Sequence, residues 1–311
     1  MPDIRPGAVR PILKWAGGKR QLLPELRPFY PRRFKGYVEP FLGSGAVFLD
    51  LYNSGLLHGR DVHLSDINAD IIGCYRAVRD SVEQVIDALE ALDAGYRAGG
   101  AAHFYDVRDR LFNPERRRIA SGGPPGAYTP ELAAMLIFLN RTGYNGLFRV
   151  NARGEFNVPA GRYANPKICD PANLRAWSAA LGSPRLSLNV MAFGAALAGA
   201  RQDDFVYLDP PYAPLSGTAR FTSYTAGGFG DLQQEELQRA VIALAARGAS
   251  VLLSNSVAPQ IRLLYAGRGA AHHAGLRATT VAARRAINSR AASRGPVREY
   301  VITNVPRCKL A

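Results

Sequence analysis

The chain has 311 residues, 47% of them hydrophobic, and this composition excludes a disordered or collagen-like polymer. Lysine and arginine number 39 against 25 aspartate and glutamate residues, so the net charge of +14 favours a polyanionic partner, first of all nucleic acid. No charge-free apolar stretch is long enough to cross a bilayer, and three cysteines without a C-x-x-C spacing argue against a disulfide framework, so we expect a cytoplasmic protein.

The first motif that bears on chemistry is "LKWAGGK" at residues 13–19, which combines an aromatic side chain, two glycines and two lysines. Adjacent glycines allow a backbone to approach more closely than any side chain permits, while Trp15 offers a flat face and Lys19 a positive charge. Such a segment suits a ligand that contains an aromatic base or a carboxylate. The alternative is a bare basic turn without a ligand.

A strand, a glycine-bearing turn and a helix start follow in "YVEPFLGSGAVF", residues 37–48. This arrangement brings backbone N–H groups close to a nucleotide-like ligand, although a tight strand-to-helix connection has the same pattern. A dinucleotide-binding loop needs a third glycine at position 48, where Phe48 stands. Asp66 ends the next strand, 21 residues beyond Gly45, where α/β folds present a carboxylate to ribose hydroxyls. Its alternative role is to cap the helix that begins in "DINADII".

Strands and helices alternate along much of the chain, which predicts an α/β fold with a mostly parallel sheet and helices on both of its faces. Helical patterns occupy, for example, residues 66–80 and 231–248. Residues 76–180 break the alternation and are predicted to form an inserted lobe, so the core comprises 1–75 and 181–311. The predicted strands are 37–40, 62–65, 186–193, 205–208, 250–254 and 300–305.

The inserted lobe contains a basic run, residues 141–167, with a single acid, Glu155, among five cations and four aromatic residues. Because cations contact phosphates and planar side chains stack on bases, the run is predicted to form a hairpin or looped arm that reaches into a DNA groove. Arg149 is a candidate for pairing with guanine O6 and N7. The alternative is a solvated, charged loop. A second basic stretch, 277–309, either faces the DNA or is a loop between the last two predicted strands.

The most specific motif is "DDFVYLDPPY" at residues 203–212, in which a buried strand runs into Asp209, two prolines and Tyr212. Asp209 is expected at the carboxyl edge of the sheet, where open α/β sheets bind ligands. The prolines fix the backbone and have no N–H that could occupy nearby acceptors. A carboxylate and a backbone carbonyl can accept both protons of an exocyclic amino group while Tyr212 stacks on its ring, which makes attack on an activated methyl group feasible. The alternative is a strand that ends in a proline-terminated turn.

Taken in this order, the motifs resemble the adenine-specific, amino-directed DNA methyltransferases, and among them the DNA adenine methyltransferase type that modifies GATC. The resemblance covers nearly the whole chain and rests on "LKWAGGK", "EPFLGSGAVF", "LSDIN", "NRTGYNGLFRVNARGEFNVPAGRY", "YLDPPYAPLS" and "SNS". It implies a seven-stranded, mostly parallel core that uses S-adenosylmethionine, with a mainly helical target-recognition domain at 76–180. The spelling DPPY, as opposed to NPPY, resembles the DNA-adenine branch. Residues after "RRAINS" follow the family only loosely.

The resemblance also implies roles for individual residues. The residues matched to the flipped adenine are Asp209, Pro210, Pro211 and Tyr212. The residues matched to the cofactor are Trp15, Lys19, Glu39, Phe41, Gly43, Asp66 and Asp209. Lys14 matches the position that contacts the outer guanine, and the GATC-reading hairpin is matched by Tyr144, Asn145, Leu147 and Arg149. Further DNA contacts are expected from Arg141, Arg162 and Tyr163.

We therefore expect a monomeric enzyme that moves the methyl group of S-adenosylmethionine directly onto N6 of adenine in double-stranded DNA, with GATC as its target. The five histidines have no metal-ligand spacing, so no metal is expected. Three alternatives stay open. They are the same chemistry on another DNA motif, as in restriction–modification, the same chemistry on RNA, and a non-catalytic nucleic-acid-binding protein.

Overall fold

A computed structural model describes residues 7–15, 17–120, 128–214, 229–284 and 296–307. Three stretches fall outside these ranges: residues 121–127 of the inserted lobe, the end of the "YLDPPYAPLS" motif, and most of the basic segment 284–299, which is part of the stretch 277–309. Any DNA contact by that basic segment stays a prediction.

The described residues contain one seven-stranded sheet in the order β3-β2-β1-β4-β5-β7-β6. Strands β1 to β5 pair in parallel, whereas β7 runs antiparallel to both of its neighbours. The predicted seven-stranded, mostly parallel α/β architecture is therefore confirmed. The strands are β1 (Gly36–Glu39), β2 (Asp61–Asp66), β3 (Leu186–Val190), β4 (Phe205–Leu208), β5 (Ser250–Ser256), β6 (Arg277–Arg284) and β7 (Pro296–Thr303).

Helices cover the sheet and also fill the long connection between β2 and β3. In the described ranges they are α1 (Leu23–Leu26), α2 (Ala46–Asn53), α3 (Ala69–Asp80), α4 (Val82–Asp106), α5 (Asn113–Ala120), α6 (Pro130–Thr142), α7 (Pro171–Leu181), α8 (Phe193–Ala198), α9 (Asp231–Ala246), α10 (Pro259–Tyr265) and α11 (Ala270–His273). A π-helical turn, Val107–Phe112, joins α4 to α5. The insertion is thus mainly helical up to α6, while its domain boundaries stay a prediction.

Each central strand contributes to two hydrophobic cores, because its side chains alternate between the faces of the sheet. In β4, Phe205 and Tyr207 belong to one core, whereas Val206 and Leu208 belong to the other. The first core continues into the inserted helices, where it includes Phe138 of α6. This double burial explains why the strand is an uninterrupted apolar run in the sequence.

Two sequence-based assignments need correction. The alternative that residues 277–284 belong to a loop is wrong, because they form the edge strand β6, paired antiparallel with β7, while their contact with DNA stays a prediction. The strand predicted at 186–193 ends at Val190, and Phe193 already begins α8. Edge strands alternate between buried and solvated positions, so β6 lacks the continuous apolar run that marks the inner strands.

Candidate active site

Three adjacent parallel strands place acidic side chains at one edge of the sheet. Strand β1 ends at Glu39, β2 ends at Asp66, and Asp209 follows the last residue of β4. The strands lie in the order β2-β1-β4, so their carboxyl ends meet at the same edge. This is the edge at which open α/β sheets bind ligands.

Asp209 forms an ion pair with a lysine from the N-terminal motif. Its Oδ1 lies 2.8 Å from the Nζ of Lys19, whose side chain is 6% exposed, against 21% for Asp209. The same Nζ donates a hydrogen bond of 2.6 Å to the carbonyl of Gly17 and lies 4.5 Å from the ring centre of Tyr212. The segments 13–19 and 203–212, which are far apart in sequence, therefore form one site.

Burial raises the pKa of the Asp209 carboxyl to about 6, and the negative charge of Glu299 acts in the same direction. The Lys19 ammonium opposes this shift by favouring the ionised carboxylate. Asp209 is therefore mostly ionised at neutral pH and becomes protonated in mild acid.

Hydrogen bonds fix the segment that follows Asp209. The hydroxyl of Tyr212 donates to Oε2 of Glu299 over 2.6 Å. The carbonyl of Pro211 accepts from Nε2 of Gln234 over 3.0 Å, and Gln234 in turn accepts from the side chain of Asn255. Neither proline has an N–H, and the carbonyl of Pro210 has no hydrogen-bond donor within the described ranges. One carboxylate and one carbonyl are thus left as acceptors beside an aromatic ring.

The glycine turn lies against the tryptophan of the first motif. Gly43 has φ of +47°, and a Cβ at this position would come within 2.9 Å of Cδ1 of Trp15. The Gly43 N–H donates to Oδ2 of Asp66 over 2.9 Å, while Oδ1 of Asp66 accepts from the Asn68 N–H. A side chain at position 43 would separate the tryptophan from the turn, so the site requires glycine there.

The helix-capping alternative for Asp66 is wrong. Asn68 is the N-cap of α3, and its side chain accepts from the N–H groups of Asp70 and Ile71. Asp66 instead fixes the glycine turn through its carboxylate.

Two further predicted cofactor residues lie in different surroundings. Glu39 is 2% exposed and accepts a hydrogen bond of 2.7 Å from the Tyr37 hydroxyl, and burial raises its pKa to about 8. Phe41 stacks on Phe193 with a centroid distance of 5.5 Å and meets Phe229 edge-on at 5.8 Å. Glu39 therefore lies in the interior, whereas Phe41 belongs to an aromatic group at the carboxyl edge. Cofactor contact by either residue stays a prediction.

The basic run forms a hairpin-like arm, which we define as residues 143–161. Antiparallel bridges join Gly143 to Ala160 and Val150 to Phe156. Asn145 has φ of +53°, a left-handed conformation that asparagine tolerates better than most residues. The expected hairpin geometry is thus present in this run.

The residues predicted to read DNA on or beside the arm differ in exposure and in hydrogen bonding. Tyr144 is 43% exposed, Leu147 is half-buried, and Arg162 is exposed. Arg149 is exposed too, and its Nε donates to Oδ1 of Asn157 over 2.8 Å. These four side chains lie on or beside the arm and are held to different degrees.

The remaining predicted DNA-binding residues pack where the N-terminal segment meets the arm. Lys14 Nζ lies 4.3 Å from the ring centre of Tyr163 and 3.4 Å from the carbonyl of Arg141. Arg141 Nε donates to the carbonyl of Ile12 over 3.0 Å. Burial lowers the pKa values of both Lys14 and Arg141. In this structure Arg141 holds the N-terminal segment, and its DNA contact stays a prediction.

Sequence reasoning missed several residues that build the site. Phe148 of the arm stacks on Trp15 with a centroid distance of 5.7 Å. Arg116 forms a bidentate ion pair with Asp70 and donates to the carbonyl of Gly154, which ties the tip of the arm to α3. Glu299 carried a signal, since it is the single acid in the basic stretch 277–309, but its partner could not be read from the sequence.

In the part of the chain that the structure describes, no group of three or more His, Cys, Asp or Glu side chains is arranged to hold a metal ion. No helix there has the length and apolar character needed to span a membrane.

Comparison with known proteins gives a consistent result. The family model described as D12 class N6 adenine-specific DNA methyltransferase matches residues 15–280. The chain is 34% identical over 296 residues to the type II methyltransferase M1.LlaDCHI of Lactococcus lactis subsp. cremoris, with 95% of each chain covered. It is 39% identical over 257 residues to the type II methyltransferase M.MjaIII of Methanocaldococcus jannaschii, covering 80% of this chain and 84% of that protein.

A third relative is the DNA adenine methylase of Escherichia coli (strain K12), which is 36% identical over 250 residues, with 79% of this chain and 80% of that protein covered. The family match spans the glycine turn, the arm and the segment 209–212 that meet in the structure. The acidic edge of the sheet and the arm beside it thus belong to a member of the D12 class of N6 adenine-specific DNA methyltransferases.

Proposed function

We propose that this protein methylates N6 of adenine within GATC in duplex DNA, with S-adenosylmethionine as the methyl donor, after the adenine has flipped into a site formed by residues 209–212. One observation carries the proposal. The Asp209 carboxylate is held at the carboxyl edge by Lys19, one residue beyond β4, next to a tyrosine whose hydroxyl is fixed.

The residues at the edge fit S-adenosylmethionine. Gly43 leaves room against Trp15, and the fixed carboxylate of Asp66 has lone pairs that can accept from ribose hydroxyls. When bound, S-adenosylmethionine supplies a methyl group activated by a sulfonium centre. The residues proposed to hold it are Trp15, Lys19, Glu39, Phe41, Gly43, Asp66 and Asp209.

Asp209 and Pro210 provide acceptors for the two protons of the adenine amino group. The carbonyl of Pro211 is occupied by Gln234, so among the two proline carbonyls Pro210 is the one placed to accept. An amino nitrogen that accepts a methyl group develops positive charge, and a preorganised carboxylate stabilises that charge in the transition state. Tyr212 stacks on the base and limits its motion.

The arm is proposed to read the bases around the flipped adenine. The side-chain oxygen of Asn157 accepts a hydrogen bond from Nε of Arg149, and the backbone carbonyl of Asn157 accepts one from Nη2 over 3.3 Å. These bonds orient the guanidinium and leave Nη1 and one N–H of Nη2 to donate to guanine O6 and N7. Tyr144 and Leu147 are placed to pack beside the adenine, and Lys14 to contact the outer guanine.

Sequencing a plasmid methylated in vitro tests the target assignment, because single-molecule sequencing reads every adenine. We expect wild-type methylation confined largely to GATC. Arg149→Ala should relax the choice at one base pair, since a bidentate arginine–guanine pair contributes about 1–3 kcal/mol of discrimination. The matched control is Arg162→Ala, which changes an exposed arginine just beyond the arm and should weaken binding to all DNA sequences alike. Full GATC preference in Arg149→Ala would contradict the assignment.

The second candidate function is methylation of adenine in another DNA motif, as the methyltransferase of a restriction–modification pair. The two relatives named as type II methyltransferases favour it. The same sequencing experiment separates the candidates, because a wild-type mark outside GATC supports the second one.

A further inference from the structure

Glu299 is an acid in an otherwise basic part of the chain. It lies on β7, where the register pairs it with Ser256 of β5 and Val281 of β6. Its half-buried carboxylate accepts the 2.6 Å hydrogen bond from Tyr212, and within the described ranges it forms no ion pair with a lysine or arginine. Among the described residues, the partner of this acid is thus a neutral hydroxyl.

Glu299 places a second negative charge near Asp209. Its charge disfavours ionisation of Asp209, whose pKa it helps to raise. A short hydrogen bond to a charged acceptor is roughly twice as strong as one between neutral groups and fixes the donor's orientation. The Tyr212 hydroxyl is this donor, so its bond to Glu299 fixes the orientation of the tyrosine.

We propose that Glu299 is a positioning residue for methyl transfer, which holds the Tyr212 ring in the orientation needed to stack on the target adenine. The inference rests on the proposed function, since it requires that Tyr212 contacts the base. Lys19 covers one face of the ring at 4.5 Å and Glu299 anchors its hydroxyl, so the ring is restrained at two points. Without the anchor, the ring is free to turn about its side-chain torsions and stacks less often in the productive orientation.

A double-mutant cycle between Tyr212 and Glu299 tests the inference on the full chain. Single-turnover methyl transfer to a GATC duplex should slow about tenfold or more in Glu299→Ala and in Tyr212→Phe, because each removes one hydrogen bond to a charged group. The double variant should be no slower than either single variant, since both changes remove the same contact. Glu299→Gln should restore most of the rate when Tyr212 is present and none of it in the Tyr212→Phe background.

Rescue by Glu299→Gln that requires the Tyr212 hydroxyl is the readout that a merely structural role would not give. The pH dependence reports separately on the charge of Glu299 beside Asp209. Removing the charge of Glu299 lowers the pKa of Asp209, so Glu299→Gln should keep its activity to lower pH than the wild type. Glu235→Gln, an exposed glutamate on α9, is the matched control and should change neither rate nor pH profile. Thermal unfolding of every variant shows whether the fold is intact. If Glu299→Ala unfolds, the inference is still tested by comparing the effect of Glu299→Gln on the rate with Tyr212 and with Phe at position 212.

Additive losses in the cycle, a wild-type rate in Glu299→Ala, or equal effects of Glu299→Gln in the two Tyr212 backgrounds would overturn the inference. A wild type that transfers no methyl group to any adenine would overturn the proposed function instead, so the two failures are distinguishable.

Discussion

At the scale of single residues, the Asp209 carboxylate has the most direct test. Asp209→Asn removes the negative charge that stabilises the amino nitrogen, and we expect turnover to fall about a hundredfold or more. The matched control is Asp203→Asn at the other end of β4, where an exposed carboxylate pairs with Lys35. Its left-handed backbone, with φ of +66°, is one that asparagine accepts. Near-native turnover in Asp209→Asn at saturating cofactor would refute the mechanism.

A second residue-scale prediction concerns pH. Because the Asp209 pKa is about 6, the negative charge proposed to act on the amino nitrogen is lost as pH falls through this value, so the methylation rate should decline there and stay level above it. Lys19→Met removes the charge that lowers this pKa, and the decline should move to higher pH. Single-turnover rates at saturating cofactor and DNA measure the shift. Lys35→Met changes an exposed lysine and should leave the profile in place, whereas an unmoved profile in Lys19→Met would contradict the assigned coupling.

At the scale of elements, the arm packs through Phe148 against Trp15, one of the residues proposed to hold the cofactor. Phe148→Leu keeps most of the buried apolar volume but removes the stacking on Trp15, so Trp15 is held less firmly against Gly43. We expect S-adenosylmethionine to bind several-fold more weakly, as measured by calorimetry. Phe112→Leu is the matched control, because Phe112 is fully buried and its ring contacts Phe156. Equal losses in both variants would mean that general core packing, rather than the stack, sets the affinity.

The elements also show what the sequence could reveal. The inner strands were predictable because both faces are buried, and the Asp209 edge was predictable because a strand ends in a carboxylate and two prolines. Strand β6 was not predictable, because an edge strand has a solvated side and therefore lacks a continuous apolar run in the sequence. The bond between Tyr212 and Glu299 joins residues 87 positions apart and depends on β7 entering the sheet beside β5 in one antiparallel register. Spacing in the sequence does not encode such a register.

At the scale of the whole molecule, the charge of +14 should appear in the salt dependence of DNA binding. Each phosphate that the protein neutralises releases condensed counterions and contributes about −0.9 to the slope of log K against log salt concentration. We expect a steep negative slope for specific and non-specific duplexes alike. Fluorescence anisotropy at several salt concentrations measures it, with Asp209→Asn as a variant whose slope should equal that of the wild type. A flat plot would place the positive charge away from the DNA.

The stack between Trp15 and Phe148 has a spectroscopic consequence. The chain has two tryptophans, and Trp177 is fully buried against Tyr75 with a centroid distance of 4.8 Å, far from the solvent. Trp15 is half-buried between the glycine turn and the arm. Both indoles lie beside the glycine turn, since a Cβ at Gly45 would come within 3.1 Å of the Trp177 ring, but of the two only Trp15 stacks on the arm. Indole emission responds to the polarity and quenching groups around the ring, so the half-buried Trp15 is the emitter that responds to the arm. Trp15 therefore gives the protein an intrinsic optical signal between the glycine turn and the arm that needs no attached dye.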